Sequence, residues 1–151
     1  MKTAPMRSVF VLSLVLWIGS VWFYSLVVLP VLFSHLPRET AGSVAALVFP
    51  YYYRVGAAAG AVAAVLAVRA FWSDGRRWLA AAALLLVMLA CQLWSTFVIH
   101  PRMEGLRRED VSGREFARMH RRSVLLNGVV VSGGLILVCA SGWLLGESDS
   151  A

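Results

Sequence analysis

Four apolar stretches, each long enough to cross a lipid bilayer as a helix, constrain this sequence more than any other feature. A transmembrane helix needs about 20 consecutive apolar residues, and inside lipid only a helix or a closed barrel satisfies every backbone polar group. Arg54 is the only charge well inside these stretches. They cover residues 8–29, 51–70, 78–99 and 123–145. The predicted fold is therefore an all-α integral membrane four-helix bundle.

The composition also indicates a membrane protein, since 60% of the residues are hydrophobic and 15% are charged. Soluble domains average about 45–50% and about 25%, which excludes a soluble globular enzyme, a disordered chain and a disulfide scaffold. The net charge of +6 comes from bases at the ends of apolar runs, where lipid headgroups attract them. We expect the lipid bilayer as partner, no nucleic acid, and a multi-pass location in the cell inner membrane.

Turn and helix-breaking residues predict where the helices end. Residues 73–75 are Ser-Asp-Gly, which makes a tight turn, so the second and third helices are antiparallel neighbours. Proline disfavours the helix interior, so we expect the first helix to stop at Pro30 and the third to end at His100-Pro101.

Two further helical pieces are expected outside the spans. The segment 38–49 is amphipathic and is expected to lie along the membrane surface. A polar helical extension precedes the fourth span. Residues 1–146 are predicted to form one four-span domain, followed by a mobile acidic tail over 147–151.

Polar residues of the fourth helix fall on one stripe, since His120, Ser123 and Asn127 are spaced by three and four residues. Polar groups at membrane depth must face protein or water rather than lipid. One interpretation is that Ser123 and Asn127 hydrogen-bond to neighbouring helices. The other is that His120 stands at the mouth of a stripe that receives a ligand, a metal ion or a proton.

The third helix carries soft potential metal ligands, Met88 and Cys91, followed by His100. Sulfur and imidazole suit Cu(I) or a similar soft ion. No CxxC, MxxM or HxxxH spacing is present, and a methionine and a cysteine one turn apart are usually core residues. Metal ligation and core packing both remain open for this face.

Charged and aromatic residues gather at the span ends beside the two long connections, residues 30–50 and 101–122. They are Arg102, Glu104, Glu115, Tyr52 and Arg54. These residues form either a solvated rim or the entrance to a site that leads to the polar stripe at Asn127. Alternatively, Arg102 pairs with Glu104 or Glu115 and holds the long loop in place.

Small residues indicate close helix packing at Gly56 and Gly60 in the second helix and at Gly134 in the fourth. Packing within one bundle is one interpretation and a homodimer interface is the other. The sequence has no glycine-rich phosphate loop, nucleophile elbow or HExxH motif. We therefore assign no catalytic residue and do not favour an enzyme.

An ordered set of motifs resembles the transmembrane protein 205-like family across nearly the whole chain. The motifs are LWIGS (16–20), LPVLFSHLPR (29–38), VFPYYY (48–53), PR (101–102) and FARMHRRSVLLN (116–127). The residues that fit the family pattern are Pro37, Phe49, Pro50, Tyr52, Pro101, Arg102, Phe116, His120, Ser123 and Asn127.

The resemblance implies a four-span membrane protein, and it also indicates the kind of ligand that such a protein handles. A vertebrate member is linked to tolerance of platinum drugs, and more distant four-span relatives include copper-resistance proteins and a haem-binding oxidase. The leading hypothesis is therefore handling of, or tolerance to, a soft metal ion or metal complex. The alternatives are a non-catalytic subunit or assembly factor of a larger membrane complex, and a membrane redox protein that binds haem b.

Overall fold

The computed structural model describes residues 4–108 and 113–145, with the side chains of all but 107 and 108. These residues form four long helices and no strand, which confirms the all-α prediction. The first consists of Ala4–Phe23, a π-helical turn Tyr24–Val28, and Leu29–His35; the second is Arg38–Asp74; the third consists of Arg77–Trp94, a π-helical turn Ser95–Ile99, and His100–Arg108; the fourth is Arg114–Leu145.

The helices form a ring in which each packs mainly against its neighbours in the chain and the fourth closes against the first. The first and third helices, and likewise the second and fourth, therefore face each other diagonally across the core. A tight turn joins the second helix to the third, where Gly75 adopts a φ of 88°. That left-handed region favours glycine, and the turn makes these two helices antiparallel neighbours, as the sequence predicts.

Buried residues recur every three and four positions along each helix, a period near 3.5 that is typical of left-handed bundles. The first helix supplies mostly large side chains and the second, apart from Tyr52 and Tyr53, supplies small ones, so the large side chains of the first helix fit the groove of the second. The large set is Phe10, Leu14, Trp17, Ile18 and Val21. The small set is Ala41, Ala45, Gly56, Ala59, Gly60, Ala63, Ala64, Ala67 and Ala70.

The first and third helices continue past Pro30 and Pro101, where the sequence predicted that they would end. A proline ring clashes with the carbonyl four residues back in an α-helix. Each proline follows a π turn, whose wider geometry relieves that clash. The N–H of Leu29 donates to the Tyr24 carbonyl, and the N–H of His100 donates to the Ser95 carbonyl, each five residues back.

The amphipathic segment 38–49 is helical, but it is continuous with the span that follows. One helix runs from Arg38 through Pro50 to Asp74. The polar extension before the fourth span is likewise the first part of one helix, Arg114–Leu145. The predicted acidic tail, 147–151, lies outside the described residues.

All four helices are long and apolar enough to cross a membrane. Their outward positions carry large apolar side chains that no other part of the described chain covers, among them Leu47, Trp72, Phe97 and Leu125. Lipid is the solvent that such an outer surface requires.

Candidate functional site

A buried hydrogen-bond network crosses the core between the first and third helices. The indole Nε1 of Trp17 donates to Oε1 of Gln92 at 2.6 Å, and Nε2 of Gln92 donates to the backbone carbonyl of Tyr53 at 3.2 Å. Trp17 is fully buried, and Gln92 is one of the two buried polar side chains among the described residues. A polar group left unpaired in an apolar core costs about 1–3 kcal/mol. The Gln92 amide therefore ties the first, second and third helices together.

A second set of polar contacts crosses the other diagonal, between the second and fourth helices. The Tyr52 hydroxyl donates to Oδ1 of Asn127 at 3.2 Å, and Nδ2 of Asn127 donates to Oγ of Ser25 at 3.1 Å. The Ser123 side chain pairs with Tyr53. Trp17–Gln92 and Tyr52–Asn127 therefore bridge the two diagonals, whereas the bonds from Asn127 to Ser25 and from Gln92 to the Tyr53 carbonyl join helices that are neighbours in the ring.

Aromatic rings enclose one end of this network. Tyr24 stacks on Tyr52 with ring centroids 4.9 Å apart, and Phe49 stacks on Tyr53 at 5.7 Å. The His100 imidazole meets Phe49 and Tyr53 edge-on, at 5.1 and 5.9 Å. Such contacts add about 0.5–1.5 kcal/mol per aromatic pair beyond area burial.

The residues predicted as soft-metal ligands lie in different surroundings. Nδ1 of His100 lies 3.7 Å from Oε1 of Glu104. The exposed His120 ring lies parallel to that of Phe116, with centroids 6.4 Å apart. Met88 is fully buried, with its sulfur only 2.7 Å from where a Cβ on Gly133 would stand, and Cys91 is half-buried.

The histidine and cysteine candidates do not gather into a cluster of three metal-binding side chains among the described residues. Within residues 4–108 and 113–145, excluding the side chains of 107 and 108, no group of three or more His, Cys, Asp or Glu side chains is placed to hold a metal ion. The two histidine rings have aromatic neighbours of their own: Phe49 and Tyr53 for His100, and Phe116 for His120.

The predicted polar mouth divides into an interior part and a surface part. Tyr52 is buried and belongs to the network. Arg54, Arg102 and Glu115 are exposed, and Glu104 is half-buried beside His100. The aromatic member therefore faces inward, whereas the charged members lie at the surface.

Glycines permit the close approach on which the network depends. A Cβ on Gly60 would stand 2.8–2.9 Å from three carbons of the Trp17 ring, and one on Gly56 would collide with the Gln92 amide. A Cβ on Gly134 would collide with Ile18. All three glycines lie at contacts between helices of one chain.

From the sequence, no role was assigned to Trp17, Gln92 or Ser25. A signal was available for two of them. A glutamine amide and an indole N–H inside apolar stretches both need partners. Periodicity alone did not say that they would pair with each other.

Asn127→Leu should lower the free energy of unfolding by about 0.6–1.7 kcal/mol, the range for interhelical hydrogen bonds in membranes. The change removes both bonds of the Asn127 amide and leaves the Tyr52 hydroxyl without its acceptor. Denaturant titration in detergent micelles, followed by circular dichroism, measures the loss.

Ser141→Ala is the control, because the Ser141 hydroxyl donates to a carbonyl of its own helix; it should change the unfolding free energy little. Combining Asn127→Leu with Tyr52→Phe should cost less than the sum of the two single changes. Strict additivity would contradict the proposed pairing.

Comparison with known proteins gives one family. Residues 12–112 match a family described as a domain of unknown function (DUF4149). No curated protein and no solved structure shows detectable similarity to the chain. The four candidate spans make the chain a multi-pass integral membrane protein in contact with lipid.

Proposed function

The chain belongs to the DUF4149 family, and on that premise we propose that it is a non-catalytic component of a larger membrane assembly. Its core acts as a rigid support, and its outer surfaces do the binding. We further propose the inner membrane of the cell as its location.

The observation that carries this proposal is the way the internal polar groups are used. The side chains of Trp17, Gln92, Tyr52 and Asn127 hydrogen-bond to one another, to Ser25 or to a backbone carbonyl of another helix. A substrate site needs polar groups that converge on a space for the substrate. Here they converge on neighbouring helices, which fixes the shape of the bundle.

The helix ends beyond the aromatic cluster supply a candidate partner surface. They present more positive than negative side chains. Among the described side chains there, the arginines are Arg38, Arg102, Arg114, Arg118, Arg121 and Arg122, all exposed, and the glutamates are Glu39, Glu104 and Glu115. Complementary charge chiefly sets partner choice and association rate, so an acidic surface on a partner protein suits this end.

The test is partner retention after gentle extraction of the tagged chain from its own membrane. We expect a second protein in stoichiometric amount, and we expect Arg114→Glu with Arg118→Glu to release it. Arg76→Glu, an exposed site at the opposite end of the bundle, is the matched control and should keep the partner. A wild-type chain that is extracted alone or as a homodimer would contradict the proposal.

The finer resemblance, to the transmembrane protein 205-like family, supports a second candidate function, which is tolerance to a soft metal ion or metal complex. The half-buried Cys91 thiol is the observation in its favour, since soft ions prefer sulfur ligands. This candidate requires a soft metal bound in stoichiometric amount or a metal-dependent phenotype that Cys91→Ala abolishes.

A further inference from the structure

A lateral groove runs along the outer surface between the third and fourth helices. Its inner end is lined by Ala90, Cys91 and Leu126, and its outer end lies between Ile99 and Arg122. Arg122 is the only charged residue among the described residues that line it. The groove is therefore apolar along its length and positive at one end.

The length of the groove matches one leaflet of a bilayer. Ala90 and Ile99 are nine residues apart, which is about 13 Å at a rise of about 1.5 Å per residue. Half of a hydrocarbon core of about 30 Å is about 15 Å. A groove of this length accommodates most of one acyl chain, whereas a partner's transmembrane helix would require a surface through both leaflets.

The π turn Ser95–Ile99 lies beside this groove. An extra residue in the turn widens the third helix locally. Trp94, immediately before the turn, lines the groove and is largely exposed. Tryptophan is enriched near membrane interfaces, and the exposed Trp94 ring adds apolar surface to the groove.

The charge at the outer end selects the headgroup. The Arg122 side chain is exposed on the same helix end as Arg118 and Arg121. A guanidinium forms strong, often bidentate hydrogen bonds to phosphate, and basic residues near the membrane surface attract anionic lipids. A zwitterionic headgroup lacks the net negative charge that this end favours.

We propose that the groove binds one anionic glycerophospholipid. One acyl chain lies along the apolar surface from Ile99 to Ala90, and the phosphate lies on the Arg122 guanidinium. The lipid fills the gap between the third and fourth helices and thereby completes the outer surface of the bundle. The inference is independent of whether the chain has a protein partner.

Native mass spectrometry tests it on the purified full-length chain in micelles supplemented with equal amounts of phosphatidylglycerol and phosphatidylcholine. We expect one retained phosphatidylglycerol per chain. Arg122→Gln should weaken retention by about tenfold, since a hydrogen bond to a charged group contributes about 1.5–3 kcal/mol and about 1.4 kcal/mol is tenfold. Ala90→Phe, which fills the inner end, should also weaken it.

Arg121→Gln is the matched control, because Arg121 is exposed on the same helix but is not among the residues that line the groove. It should leave retention unchanged. Equal loss in Arg121→Gln and Arg122→Gln would overturn the proposal in favour of a diffuse basic surface. Equal binding of both lipids, or a second copy of the chain in place of lipid, would also overturn it. Unchanged circular dichroism and elution volume ensure that each variant is folded.

Discussion

Trp17→Ala should lower the free energy of unfolding by about 3–5 kcal/mol, the range for removing a large aromatic from a core. The indole is fully buried, and it fills the space above Gly60 and beside Gly56. Its loss leaves a cavity at the centre of the bundle, and the Gln92 amide loses its donor at 2.6 Å. Denaturant titration of the detergent-solubilised protein by circular dichroism measures the effect.

Trp72→Ala is the matched control, because the exposed fraction of Trp72 is 80%. Surface changes of this kind cost less than about 0.5 kcal/mol. Trp17→Phe separates the two contributions, since phenylalanine keeps most of the ring volume and removes the N–H donor. Similar losses in Trp17→Ala and Trp72→Ala would show that Trp17 does not occupy the core.

Gly60→Leu should also lower the free energy of unfolding, by about 1–3 kcal/mol or more, because it overpacks a filled site. A Cβ at this position would stand 2.8–2.9 Å from the Trp17 ring, and a leucine adds three further carbons in the same direction. The second helix must then move away from the first, which breaks the apolar contact between them. The fraction of folded monomer recovered from the membrane, measured by size-exclusion chromatography, gives the readout.

Gly19→Leu is the control, since a Cβ on Gly19 meets nothing within 4 Å. The double variant Trp17→Ala with Gly60→Leu provides a sharper test. Leucine at position 60 partly fills the volume that the indole leaves. The decrease in unfolding free energy of the double variant should therefore be smaller than the sum of the two single decreases, by about 0.5–3 kcal/mol. Independent losses would show that the two positions do not face each other.

The four helices and one of their turns are predictable from sequence because both depend on local chemistry. The length of an apolar run fixes how far a helix extends in lipid. Gly75 fixes the turn through its positive φ. The resemblance to a four-span family points to the same fold, which the described residues confirm.

The ends of the first and third helices were not predictable from the rule that proline ends a helix. Both helices continue past Pro30 and Pro101 because a π turn precedes each proline. A π turn depends on packing around the helix as well as on local preference. Segment 38–49, which was expected to lie along the membrane surface, is likewise continuous through Pro50 with the second span.

Periodicity predicted the direction of the polar stripe but not its partners. Asn127 and Ser123 do face the second helix, whereas His120, on the same stripe, is exposed near the end of the bundle. The helical angle predicts the direction in which a side chain points. Whether a neighbouring helix lies opposite that side chain depends on the tertiary arrangement. Predicting the Trp17–Gln92 pair, whose members lie 75 residues apart in the chain, would likewise have required the tertiary arrangement.

The proposed function follows from the different roles of the interior and the outer surface of the bundle. The side chains of Trp17, Gln92, Tyr52 and Asn127 hold helices together inside the bundle. The basic helix ends and the lateral groove are the surfaces available to a partner protein and to lipid. The soft-metal hypothesis depends instead on resemblance and on Cys91.

The most direct test of this account is the mass and metal content of the chain, extracted gently from its native membrane and measured by native and elemental mass spectrometry on one sample. We expect a stoichiometric complex with a second protein, without stoichiometric iron, copper or zinc. An isolated chain that carries one equivalent of such a metal would contradict it and would favour a metal-handling protein.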